Sequence, residues 1–178
     1  MKKLNNLLII VVTSISYIIA LNYLKDKLYV DLLKTIMILP VMLIPRFLNK
    51  INIKIDKKLE FTYLIFILFA YFLGVIINLY DKINSYDTIM HFISGIFTGY
   101  VSLYLLTDNN KIHNILFILG FVSLIAIGWE TFEYISSILF DVDPQKVELT
   151  GINDTMKDII VAFLGGILVT IFGNKKRR

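Results

Sequence analysis

The chain has 178 residues, of which 57% are hydrophobic and only 18% are charged. Soluble domains run at about 45–50% apolar and about 25% charged, so this composition excludes disorder and argues against a soluble domain. The chain has no cysteine, which removes disulfides, thiolate nucleophiles and cysteine metal sites, and its net charge is +4. With no stripe of Arg and aromatics on a soluble surface, nucleic acid is excluded as a partner.

A membrane span needs about 20 apolar residues. The first apolar run is Leu7 to Leu24, preceded by Lys2 and Lys3. It is longer than a signal-peptide core and lacks a small-x-small cleavage site, so it is read as an uncleaved first helix. The second run, Val30 to Leu48, is the weakest, with Lys34, Pro40, Pro45 and Arg46 in or near it. A kinked span is expected there, because neighbours can satisfy the carbonyl that a proline frees. The third run is Phe61 to Tyr80, the fourth Thr88 to Leu106, the fifth Ile115 to Phe140 and the sixth Thr155 to Phe172. The expectation is an all-α fold, a polytopic bundle of about six transmembrane helices forming one integral membrane domain over residues 1–178.

Basic residues orient such a bundle, because cytoplasmic loops carry the Lys and Arg excess. With the N-terminus inside, the outer segments hold Lys25, Lys27, Lys34, Lys82, Lys146 and Lys157, and the other 12 of the 18 basic residues fall inside. Both termini are therefore expected in the cytoplasm of a cell-membrane protein. The terminal cluster Lys175 to Arg178 reads as an anchor on anionic headgroups.

An ionisable residue at the centre of a span costs about 2.5–3.5 kcal/mol on insertion scales. Spans one to three carry almost none, and Lys34 and Arg46 lie near ends where they can snorkel. The last three spans differ. The fourth opens with Asp87 and His91, the fifth contains Glu130 and Glu133, and the sixth opens with Asp154 and Asp158. Spacings of three or four put each pair on one helix face. With spans four and six entering from outside and span five leaving, all six residues fall in the outer half of a three-helix bundle. Glu133 then lies roughly 10 Å and Glu130 roughly 15 Å below the outer end, at about 1.5 Å per residue. Gly95, Gly99, Gly165 and Gly166 would let these helices approach closely.

Five carboxylates cannot all ionise in a low dielectric, so some carry protons, pair with Lys157 or hold a cation. Oxygen-rich sites with one imidazole suit divalent ions such as Mg, Mn, Ca or Zn. The candidate metal ligands are Asp158, Glu130, Glu133 and His91. The candidate catalytic residues are His91, Glu130, Glu133 and Asp87, with Asp87 orienting His91 as base and a protonated Glu as acid. Simpler roles compete with these. Asn153 or Asp154 is suited to an N-cap, Thr155-x-x-Asp158 resembles a capping box, and Asp87 is suited to capping the fourth helix. His91 is also suited to neutral packing, and Trp129, Tyr86 and Tyr134 to the interface. His113 reads as a solvated loop residue.

The pieces Tyr86-Asp87-x3-His91-Phe92-x2-Gly95, Trp129-Glu130-x2-Glu133 and Asp154-Thr155-x2-Asp158, with Gly165 and Gly166 beyond, resemble the YjdF-like family of bacterial inner-membrane proteins. The resemblance covers Phe61 to Phe172. That family usually carries a longer Gly-Gln-Gly-Asp-like loop where this chain reads Glu148 to Asn153. It is similar in plan to VanZ-like membrane proteins, grouped with enzymes of lipid headgroups or lipid-linked precursors. The resemblance implies a polar site just inside the outer leaflet. The expected function is hydrolysis or transfer of a phosphoester of a membrane lipid or lipid-linked substrate. A proton- or cation-coupled transporter and a structural or accessory membrane protein are the alternatives. Against transport stand the absence of an inverted repeat and of matched helix breaks.

Overall fold

The computed structural model describes residues 1–106, 110–140 and 151–173. Lys146, the Glu148–Thr150 stretch and the terminal Lys175–Arg178 cluster lie outside the described residues. Every regular element described is helical, and the chain divides into two compact units, Met1–Tyr86 and Asp87–Arg178.

The first unit holds α1 (Lys2–Lys25), α2 (Tyr29–Ile36), α3 (Ile38–Lys50), α4 (Lys57–Ile67), a π-helical continuation of α4 (Leu68–Ile76) and the short α5 (Leu79–Lys82). The expected second span is present but broken at Met37. Arg46 of α3 reaches Asn6 at the start of α1, so the α2–α3 pair returns along the length of α1. Among the described residues, five helices are long and apolar enough to cross a membrane singly. The α2–α3 pair makes about six passes in all.

A broken helix in an apolar setting must have its freed carbonyls satisfied. Tyrosines do this here. Pro45 has no N–H for the carbonyl of Val41, and Tyr63 Oη donates to that oxygen at 2.7 Å. Tyr71 Oη donates to the Lys34 carbonyl, at the α2–α3 break, at 2.9 Å. Tyr86 Oη donates to Phe69 O, in the π-helical stretch, at 2.8 Å. Ile9, Val12, Ile38, Met42, Leu64 and Phe72 fill the space between these segments.

The third span begins at Lys57 rather than Phe61, because Asp56 caps it by accepting from the backbone N–H groups of Lys58 and Leu59. It ends at Ile76, before Tyr80, where Asn78 turns left-handed at φ 64°. The earlier start puts Glu60 inside the helix, buried, where the sequence had offered no charge. Glu60 accepts from Arg46 Nε and Lys57 Nζ, each at 2.7 Å. Arg46 therefore does not simply snorkel. It bridges Glu60 and Asn6, whose Oδ1 accepts from Nη2 at 2.6 Å.

The second unit holds α6 (Tyr86–Leu105) from Asp87 onward, α7 (Lys111–Phe140) and α8 (Asn153–Gly173). A methyl group at Gly95 would overlap the Ala162 carbonyl oxygen, and one at Gly165 would overlap the Phe92 carbonyl oxygen. The absence of side chains thus lets α6 and α8 cross backbone to backbone. Val169 faces Gly99 further along in the same direction, so the two helices run parallel. Val122 of α7 packs on Gly166, and Ile118 and Val122 join Val169 in a buried cluster, so α7 runs the opposite way.

Candidate functional site

This parallel–antiparallel arrangement sets the starts of α6 and α8 beside the later half of α7. Asp87 and His91 lie one turn apart on α6, and His91 is one turn before the Gly95 crossing. Asp158 is likewise one turn before Ala162. The close crossing therefore brings His91 and Asp158 to one level. Asp87, His91 and Asp158 each present a ligand atom, and these atoms all lie within 4.8 Å of one another. His91 Nε2 is 3.5 Å from Asp87 Oδ1 and 3.7 Å from Glu130 Oε1 on α7. His91, Glu130 and Asp158 are all buried, at 7%, 5% and 3% exposure, so this is a dry site and not a solvated face.

The remaining carboxylates are placed differently. Asp154 is buried at the start of α8, and its Oδ1 accepts from Lys157 Nζ at 2.7 Å. This local ion pair leaves Lys157 half exposed and aimed at Asp154 rather than at His91. Glu133 is half-buried and accepts from Trp129 Nε1 at 2.7 Å through Oε1, one turn back on α7. Asp87, expected only to orient His91, stands with His91 and Asp158 as the three residues whose ligand atoms converge, whereas Glu130 and Glu133, expected as ligands beside His91 and Asp158, are not among them. Spacing along one helix did not carry this, because i,i+4 places Asp87 near His91 without saying what else it faces. Trp129 and Tyr134 are exposed, as interfacial aromatics would be, whereas Tyr86 is buried and hydrogen-bonded. His113 is exposed at the start of α7.

A groove of about 460 Å³ opens between α7 and α8 on the outside of the unit. Ile127, Thr131, Tyr134, Ile152 and Ile159 line it together with Glu130. One carboxyl group thus belongs both to the polar cluster and to an apolar surface groove. Glu130 is common to the groove lining and the buried cluster.

No curated protein and no solved structure matches the chain. A family model matches residues 4–178, and its description is that of a predicted membrane protein family. The long apolar helices and their near-complete coverage by this match agree: the chain belongs to the DUF2238 family of predicted membrane proteins.

Proposed function

We propose that this multi-pass membrane protein is an enzyme that hydrolyses or transfers a phosphoester of a membrane lipid or lipid-linked substrate. One observation carries the reading: Glu130 lines the groove between α7 and α8 and also lies 3.7 Å from His91 Nε2. A lipid seated with its chain along Ile127 and Ile159 presents its phosphoester to Glu130. In hydrolysis a water oxygen attacks phosphorus while Glu130 accepts the water proton. The phosphorus–oxygen bond to the leaving alcohol breaks, and that oxygen takes up the proton Glu130 accepted, which returns the carboxylate. In transfer, an acceptor hydroxyl takes the place of water. A carboxylate within hydrogen-bonding reach of the attacking group is suited to this role, and burial keeps competing water out.

In this reading the site lies at headgroup depth in the outer leaflet of the cell membrane, with both termini cytoplasmic. The split of basic residues between alternate loops supports that orientation. The test is release of water-soluble headgroup from phospholipid in proteoliposomes. Wild type should release it and Glu130→Gln should not. Equal rates from the two would refute the reading.

A further inference from the structure

We infer that Asp87, His91 and Asp158 bind one divalent cation, with Glu130 beside it but not among its three protein ligands. The inference rests on the phosphoester reading for its use but not for its geometry.

Three atoms that all lie within 4.8 Å of one another leave a point no more than about 2.8 Å from each, and carboxylate and imidazole ligands bind at roughly 2.0–2.6 Å. The three groups therefore need to contract by at most about 0.2–0.8 Å, depending on the ion. The 3.5 Å between His91 Nε2 and Asp87 Oδ1 already matches adjacent ligands of one ion. Asp158 points to a ligand independently. It is 3% exposed, and among the described residues nothing donates a hydrogen bond to its buried Oδ1. A buried, unsatisfied carboxylate oxygen is costly unless a cation or donor meets it.

Charge balance selects the valence. Two carboxylates and a neutral imidazole around a dication sum to zero, so that Glu130 beside them leaves at most one negative charge in a low-dielectric site. Lys157 cannot do the same work, because its ammonium is paired with Asp154 at 2.7 Å. An anionic phosphoester could not approach three carboxylates without positive charge between them, so the cation also makes the proposed substrate admissible. Three protein ligands leave coordination positions for water or a phosphoryl oxygen, where the ion would act as a Lewis acid.

The experiment is cation binding to the full chain in detergent, with Mn²⁺ and Zn²⁺ as separate probes. Wild type should hold one ion per chain. Asp158→Asn and Asp87→Asn should each weaken binding at least tenfold, and Asp154→Asn should bind as wild type does. Pulsed electron paramagnetic resonance of Mn²⁺-loaded wild type should report one coordinating imidazole nitrogen, a readout that needs no variant to fold. Failure of wild type to bind either ion overturns the inference, as does a Mn²⁺ signal without imidazole coupling. Headgroup release undiminished by chelator would overturn the cation and leave the phosphoester reading standing. Stoichiometric binding lost in Asp158→Asn, without headgroup release, would support the cation and refute that reading.

Discussion

Replacing Gly95 by alanine tests whether the α6–α8 crossing builds the site. The added methyl would overlap the Ala162 carbonyl oxygen and lie 2.7 Å from its carbonyl carbon, where carbon contacts normally settle at about 3.5–4.0 Å. The obstacle is backbone, which cannot rotate away, so α6 and α8 must part by roughly 1 Å. Overpacking of this kind costs about 1–3 kcal/mol. The displacement falls one helical turn from both His91 and Asp158, and metal–ligand distances tolerate only about 0.2 Å. Gly95→Ala should therefore lower the melting temperature in detergent by several degrees and abolish stoichiometric Mn²⁺ binding. Gly120→Ala is the control: nothing lies within 4 Å of the added methyl, and alanine is favoured over glycine in a helix by about 1 kcal/mol. Identical melting and Mn²⁺ binding for the two variants would refute the claim that this crossing positions the site.

Arg46→Met removes one of the two cations on buried Glu60 and should cost about 1–3 kcal/mol; adding Glu60→Gln should recover part of it in thermal melts, and simple additivity would refute the coupling. Tyr63→Phe should cost about 1 kcal/mol by leaving the Val41 carbonyl without its donor, and the loss should shrink in a Pro45→Ala background, where a backbone N–H returns; an unchanged loss counts against the tyrosine's role. Glu133→Gln should leave Mn²⁺ affinity as in wild type, since Glu133 is engaged by Trp129; a tenfold loss would restore it to the ligand set. In the cysteine-free chain, Ile152→Cys should react with an impermeant thiol reagent added outside intact cells and Lys54→Cys should not; the reverse pattern would invert the topology.

Local chemistry alone determined a good deal of this protein. Long apolar runs imposed membrane helices, because a backbone in lipid must satisfy its own hydrogen bonds. The cost of burying charge marked Asp87, His91, Glu130 and Asp158 before any helix was placed. The prolines of the second span foretold its irregularity, although the break came at Met37, before either proline of α3. Glu60 falls just before the third apolar run, which starts at Phe61, so composition does not place it inside the helix. The helix's true start depends on the Asp56 cap and on cations that Arg46 brings from another helix.

Tertiary structure decided which charges meet. Helical spacing fixes neighbours along one helix, but partners on other helices depend on register and crossing. Gly95 and Gly165 allow the backbone contact that aligns His91 with Asp158, and the antiparallel α7 then brings Glu130 to the same level. One turn away, rotation about α7 leaves Glu133 with Trp129, and Lys157 turns back to Asp154. The residue types were legible in one dimension. Their partition into a converging triad, a neighbouring carboxyl and two local pairs was not, because it is set by where three helices touch.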